Sequence, residues 1–486
     1  MLKVKRLDFK TGGPDVVVLD DSTAWKLGVR PKDRVKILWK DKEITAIVNI
    51  AQRFPRNAIG LFRDIWERYD IKDWEEADIE VLEKPLAADY IRKKLDGKRL
   101  KRKEIEEIVR AINEDELSDM DISAFVVSQY IRGMNLDEIA YLVEAMVDVG
   151  QRLELSHYPI LDKHSLGGIP GNKVTMIIVP LITSLGYVMP KTSSRAITSA
   201  SGTADAMEVL ANVSFSLDEI KEIVNKVGGC IVWGGSLNLA PVDDKLINVE
   251  KVLNIDPVSQ MIASIMAKKL SVGATHIVLD FPIGPEAKVR SRLEAARLKR
   301  MFLGIAKRLK MEVSVVYTSG YQPIGNGVGP LLSAKDALMV LEGSGPEDLR
   351  SKALKLAGNL LKLLNVRVDL REVLRKGEAL RKMKEIIEAQ GGDPRVISED
   401  LQPYEHEFTY TSPKNGRVVY ISNHALNELA RVAGAPLDEG AGIYLHKKVG
   451  EKVKKEEPLF TIYARNDAKL KRAVKQVVLR KPVVVK

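Results

Sequence analysis

The chain has 486 residues, 45% of them hydrophobic, and carries a formal net charge of +10 from 76 basic and 66 acidic residues. Such a length suits two to four domains with sizeable cores and excludes a disordered chain, while a single cysteine, Cys230, excludes an internal disulfide and a cysteine-cluster metal site. The charges are mixed along the chain, with no basic block interleaved with aromatics, so the positive balance suits a small anion better than nucleic acid.

The first residues, MLKVKRLDF, have no apolar signal core, which predicts a cytoplasmic location. Charged residues reach 29%, against only eight Gln, a balance that leans towards a thermophilic source. Residues 1–84 are expected to form a small β-rich unit, because DVVVLD, DRVKILW, EITAIVNI and ADIEVLE carry β-branched residues between turn signals. This unit resembles the small double-psi barrels at the front of some ATPases. It shows no catalytic constellation and is expected to serve assembly. From Pro85 the pattern turns helical: Ile105, Ile108, Val109 and Ile112, then Ile139, Leu142, Val143 and Met146, recur at helical spacing, and Asn135 with Glu138 reads as a capping box. Residues 86–155 are thus a helical domain, with a returning segment at about 245–273 that includes the helical stretch DPVSQMIASIMAKKLSVG.

Residues 156–405 alternate helices with short apolar strands, GCIVWGG, HIVLDFPIG and EVSVVYTSG, which predicts an α/β domain with a mostly parallel sheet. The longest apolar stretch, VTMIIVPLITSLGYVMP at 174–190, is broken by Pro180, Gly186 and Pro190, so it is read as a buried helix without a membrane span. Residues 406–486 read as a β-rich α+β region. Within it AGIYLHKKVGEKVKKEEPLFTIYA resembles half of a biotinyl or lipoyl carrier barrel but lacks the motif of a modifiable lysine, so a structural role is expected. The fold class is therefore multi-domain α/β: a β-rich N-terminal domain, a helical domain, a large α/β domain and a C-terminal β-rich region.

Two stretches carry the chemistry. In DKHSLGGIPGNK (162–173) Gly167, Gly168 and Gly171 let the backbone approach a ligand at positive φ and turn successive N–H groups towards an anion. Lys163 adds a point charge on what reads as an exposed loop, and Ser165 a hydroxyl. The spacing is not that of a Walker loop, and a plain glycine turn before a buried helix is the competing reading. In SSRAITSASGTAD (193–205) six hydroxyls lie within eleven residues, Arg195 offers a rigid fork suited to phosphate, and Thr203 reads as the N-cap of a helix. Two such loops on one α/β domain favour an anion site.

Together with GGCIVWGGSLNLAPVDDKL, MIASIMAKKLSVGATHIVLDFPIG and YQPIGNGVGP, these stretches resemble the thymidine/pyrimidine nucleoside phosphorylase family in order and spacing over residues 86 to about 486, and most of all its archaeal AMP phosphorylase branch. The resemblance implies a helical and an α/β domain with a site in the cleft between them, cleavage of an N-glycosidic bond by inorganic phosphate, and no metal or organic cofactor. It implies that Lys163, Ser165 and Ser193 hold the attacking phosphate. It assigns substrate contacts to Gly168, Ser194, Arg195, Ala196, Ile197, Thr198, Ser199, Thr203, Ser264, Lys268 and Lys288. Asp256 is the implied proton donor to the leaving base, with a simple helix-capping role as the competing reading and His164 as the alternative acid. The implied substrates are AMP and inorganic phosphate, with CMP and UMP as further candidates, and the implied assembly is a homodimer extended to a larger homo-oligomer through the N-terminal domain. Nucleic acid and membrane are not expected partners.

Two departures bear on specificity. Where pyrimidine nucleoside members grip the ring with a Tyr and an Arg, spacing from Ser264 places Leu246 and Val249, which cannot make those hydrogen bonds. The first loop is one residue longer. A pyrimidine nucleoside phosphorylase and a non-catalytic nucleotide-binding assembly protein are the competing readings.

Overall fold

The computed structural model describes residues 1–82, 85–171, 173–196 and 199–486, which divide into two compact units: Met1–Gly150 with Ala240–Ser264, and Gln151–Leu239 with Ile265–Lys486.

In the first unit six strands, β1 (Leu2–Leu7), β2 (Val16–Leu19), β3 (Arg34–Trp39), β4 (Lys42–Ile50), β5 (Ala58–Phe62) and β6 (Glu76–Val81), close into a barrel in the order β1-β5-β2-β4-β3-β6. Two of its pairings, β1–β5 and β2–β4, are parallel and the rest antiparallel. Alternation explains the closure: Val35, Ile37 and Trp39 face inward with Ile44, Ala46 and Val48 of the paired strand. The helical part follows as the hydrophobic spacing predicts. Ile105, Ile108, Val109 and Ile112 lie buried on the helix Arg102–Asn113, each side chain contributing roughly 1.5–3 kcal/mol relative to exposure. Ile139, Leu142, Val143 and Met146 do the same on Leu136–Asp148. The capping box forms: Asn135 Oδ1 accepts from the amides of Asp137 and Glu138 at 2.9 Å each, and Glu138 Oε2 accepts from the Asn135 amide at 2.9 Å. The other oxygen of Glu138 is buried, accepting from Lys94 Nζ at 2.7 Å and the Leu100 amide at 2.9 Å, so one residue both starts a helix and ties two others to it.

The second unit holds the parallel strands β7 (Leu161–Ser165), β8 (Met189–Ser193), β9 (Gly229–Trp233), β10 (His276–Ile283) and β11 (Glu312–Ser319). β11, β10 and β7 form one sheet and β8 with β9 another, joined by a parallel bridge between Ile160 and Val188. The apolar stretch 174–190 proves to be two elements. A wholly buried helix covers Thr175–Thr183, tolerating Pro180 near its end, and Gly186 at φ 84° then turns the chain into β8. Among the described residues no helix is long and apolar enough to cross a membrane.

The C-terminal region completes this unit. With β12 (Gly327–Val328), strands β13 (His406–Thr411), β14 (Gly416–Ile421), β15 (Gly442–Leu445), β16 (Lys452–Val453), β17 (Pro458–Ala464) and β18 (Val483–Val485) make two sheets ordered β12-β15-β17-β13 and β16-β14-β18. Two helices, Asn423–Ala433 and Asp467–Arg480, bury Leu426, Leu429, Ala430, Ala473 and Val477 in the same core as Phe460 and Ile462.

Candidate active site

Reading across the bridged sheets, the strand order is β9-β8-β7-β10-β11, so the chain direction of growth reverses between β7 and β10. In open parallel sheets such a switch point leaves a crevice beyond the carboxyl ends of the two strands, where ligands bind. Lys163, His164 and Ser165 close β7 at that place, and Ser193 closes β8 beside it. This corrects the expectation of an exposed loop lysine: Lys163 lies on a strand, 3% exposed, opposite Val278 of β10.

Burial explains what surrounds it. Asp280 of β10 is fully buried; its Oδ2 accepts from Ser165 Oγ at 2.9 Å and pairs with Lys352 Nζ at 2.9 Å, while Oδ1 accepts from Thr318 Oγ1 at 2.5 Å. Asp162 is equally buried and pairs with Lys269 at 2.6 Å and Lys191 at 3.4 Å. Burial alone would raise both carboxyls; Lys352 and Lys163 outweigh it for Asp280, and Lys191 and Lys269 for Asp162, holding both below the ordinary range. Four lysines against two aspartates leave two positive charges without a counter-ion when all are protonated. Buried charges are costly unless paired, so among the described residues the cluster favours an anion; burial also lowers the Lys191 ammonium to about 7, so part of the surplus is shed as protons near neutral pH.

The same imbalance sets the titrations. Burial, offset by Asp280 and reinforced by Lys352, lowers the Lys163 ammonium to about 8. Half-buried His164 is pushed well below its ordinary value by desolvation and by the positive charges of Lys269, Lys191, Lys163 and Lys288. It is therefore neutral at pH 7. We expect Lys163→Met to raise KM for phosphate about tenfold or more, the scale of one charge-assisted hydrogen bond, and to raise rather than lower the melting temperature at pH 7. A lysine depressed in the folded state is a liability below about pH 8, and that liability is relieved as pH rises from about 8 to the ordinary 10.5. The variant's thermal advantage should shrink over that window; a variant less stable at pH 7 would refute the assignment.

The two loops are held differently. Gly167, Gly168 and Gly171 have φ of 87°, 84° and 71°, as the glycine pattern predicts. A side-chain carbon at Gly168 would lie 2.5 Å from the Lys288 amide nitrogen, so this glycine is what lets the first loop rest on the turn carrying Lys288. The second loop is clasped by Asp205, whose Oδ2 accepts from the amides of Ala196 and Gly202, both at 2.7 Å. Thr203 is the first residue of the helix Thr203–Glu208 and Gly202 its cap, one position earlier than expected, because Gly202 can press against the Ser194 carbonyl where a side chain could not. Ser199 Oγ donates to the Ser201 carbonyl at 3.3 Å. Arg195 is not an open fork: its two terminal nitrogens pair with Glu208 and its guanidinium lies 4.8 Å over the Trp233 ring. Ile197 and Thr198 lie outside the described residues.

The helix Val258–Ser271 carries Ser264 and Lys268 one turn apart. Within the first unit Asp256 is exposed just before this helix, and Ser264 Oγ donates to buried Asp243 at 2.7 Å, which also accepts from Gln260 at 3.1 Å. Leu246 is fully buried among the helices and Val249 lines a cavity of about 550 Å³ with Arg34 and Asp115, so neither position presents a polar group to a base. Asp162, Asp280, Lys191, Lys269, Lys352 and Asp243 were not legible as site residues, because each acts through a partner distant in sequence; Asp205 was missed although its partners Ala196 and Gly202 lie within nine residues, the spacing from Gly202 being that of a capping box. Among the described residues no group of three or more His, Cys, Asp or Glu side chains is gathered to hold a metal ion.

A parallel sheet with a switch point lined by buried lysines is the frame of an α/β domain that binds an anion beyond its strand ends. Family models match accordingly: the glycosyl transferase family helical bundle domain over residues 88–150, the a/b domain of that family over 157–380, and the pyrimidine nucleoside phosphorylase C-terminal domain over 417–480. The AMP phosphorylase of Thermofilum pendens is 46% identical over all of this chain and 95% of its own, AMP phosphorylase 1 of Archaeoglobus fulgidus 43% over 100% and 97%, and the AMP phosphorylase of Thermococcus kodakarensis 45% over 97% and 95%. Anthranilate phosphoribosyltransferase from Thermus thermophilus shares the fold, with a TM-score of 0.54 at 20% identity, over 62% of this chain and 99% of that one. The chain belongs to this glycosyl transferase family and, within it, to the group of the AMP phosphorylases, as its motifs imply.

Proposed function

We propose that the protein cleaves AMP with inorganic phosphate, giving adenine and ribose 1,5-bisphosphate, with CMP and UMP as further candidate substrates. The observation that carries this is the buried cluster at the switch point, where four lysines face two aspartates; with all four protonated, as a bound anion favours, the surplus matches a hydrogenphosphate dianion. Lys163 and Ser165 hold that anion, with Ser193 and Thr203 completing the pocket. A phosphate oxygen bonds to C1′ of the ribose as the bond from C1′ to the base nitrogen breaks, its electron pair leaving with the base. Asp256 supplies the proton that neutralises the departing base, and Ser264 and Lys268 contact the base. Residues 194–199, Gly168 and Lys288 take the remainder of the nucleotide. Incubation with AMP and phosphate should release free adenine and ribose 1,5-bisphosphate in equal amounts, and neither product should form when phosphate is omitted.

The barrel of the first 82 residues contributes no group to this chemistry, and it exposes Phe9, Trp25 and Trp74 at 72%, 84% and 60%. Large exposed aromatics of this kind suit a contact with another subunit. Deleting residues 1–84 should leave a folded, smaller species on a sizing column; an unchanged oligomer would remove the assembly role.

A further inference from the structure

The turn that presents Lys288 is braced from a region without any catalytic motif. After β10 the chain makes a tight turn, Gly284 to Val289. The Ala287 amide donates to the Gly284 carbonyl at 3.2 Å, and the Gly284 amide donates to the Val289 carbonyl at 3.2 Å. On one side the turn meets Gly168, and on the other Gly284 presses on Gly320 at the end of β11, where a side-chain carbon would lie 2.3 Å from the Gly320 carbonyl oxygen. Within this turn, two residues before Lys288, Glu286 faces the C-terminal region. Its carboxylate accepts from Ser422 Oγ at 2.9 Å, from the His424 amide at 2.9 Å and from the Tyr420 hydroxyl. Ser422 caps the helix Asn423–Ala433, accepting from the Ala425 amide at 3.1 Å, so Glu286 sits at the positive end of an eleven-residue helix, where a carboxylate is favoured. Next to it Asn423 Nδ2 donates to the Gly320 carbonyl at 3.0 Å. The residues from Tyr420 to His424 thus grip both the turn and the strand end it leans on.

We propose that Glu286 is a positioning residue: anchored to Tyr420, Ser422 and the start of the helix Asn423–Ala433, it fixes the Gly284–Val289 turn so that Lys288 meets the nucleotide, which makes the C-terminal region a determinant of nucleotide affinity. The inference rests on the reading of Lys288 as a substrate contact. It follows from how the turn is held. The turn's own two hydrogen bonds set its shape, and the Glu286 carboxylate, accepting from three donors of the C-terminal region, sets its place.

The test is steady-state kinetics of the full-length enzyme with Lys288→Ala, Glu286→Ala, Glu286→Gln and Tyr420→Phe. Lys288→Ala should raise KM for AMP. Glu286→Ala should raise KM for AMP about tenfold, leaving KM for phosphate and kcat within about threefold. Glu286→Gln keeps an acceptor for the His424 amide and should recover most of the affinity. Tyr420→Phe removes one of the three donors to Glu286 and should shift KM for AMP in the same direction by a smaller factor. A purely structural brace would lower the melting temperature of Glu286→Ala without this split between the two substrates. If Lys288→Ala weakens AMP while Glu286→Gln and Tyr420→Phe behave as wild type and Glu286→Ala leaves KM unchanged or unfolds, the inference is overturned and the reading of Lys288 stands. If Lys288→Ala leaves KM for AMP unchanged, the reading of Lys288 fails and the inference with it.

Discussion

Asp256→Asn should lower kcat by on the order of 10²-fold or more while leaving KM for AMP and phosphate nearly unchanged, because an amide keeps the shape of the side chain but cannot protonate a leaving base as a carboxylic acid does. His164 stands beside Lys163 at the end of β7 and is the obvious competitor, yet desolvation and four nearby lysines keep its imidazole neutral at pH 7, so it holds no labile second proton to give. The depressed pKa also means that protonation of His164 contributes no break to the pH profile near its ordinary value of 6.5. His164→Gln should therefore cost much less than Asp256→Asn. A loss of less than about tenfold in Asp256→Asn would reduce Asp256 to a helix-capping group and overturn its assignment as the acid.

AMP should exceed adenosine in kcat/KM by on the order of 10⁴-fold, since donors arranged for a 5′-phosphate would be left unpaired by a substrate that lacks it. Three features support this. Leu246 is buried and Val249 faces a cavity lined by barrel and helix residues, so the ring is not gripped from the edge that pyrimidine nucleosides would need. The backbone of Lys288 stands against the first glycine loop, and its charge acts on His164 together with those of Lys163, Lys191 and Lys269. Asp205 accepts from the amides of Ala196 and Gly202, which draws the described parts of the second loop, 193–196 and 199–202, together. Arg195, whose two terminal nitrogens are paired to Glu208 and whose guanidinium lies over Trp233, adds no open donor fork to this argument. Equal kcat/KM values for the two substrates, or strong turnover of thymidine, would replace the nucleotide reading by that of a nucleoside phosphorylase.

Local physics made much of this molecule readable from its sequence. The apolar spacing of Ile105 to Ile112 and of Ile139 to Met146, the Asn135–Glu138 box, the strands around Val278 and Val315, and the positive φ of Gly167, Gly168 and Gly171 all depend on residues within a few positions of one another, where periodicity and steric freedom act. The candidate phosphate-binding side chains, Lys163 and Ser165, were readable for the same reason: they share one short motif. Their setting was not. Whether Lys163 is exposed or buried depends on β10 lying beside β7, more than a hundred residues away in sequence, and so does the presence of Asp280 under Ser165. The end of the helix at Thr183 and the start of β8 at Met189 were decided by strand pairing with β9, which the apolar run by itself does not announce. Only the tertiary structure places Glu208 on Arg195 and Glu286 on the helix Asn423–Ala433, because a carboxylate's partner is chosen by which cation or helix end the fold brings within about 3 Å, and no local pattern encodes that distance.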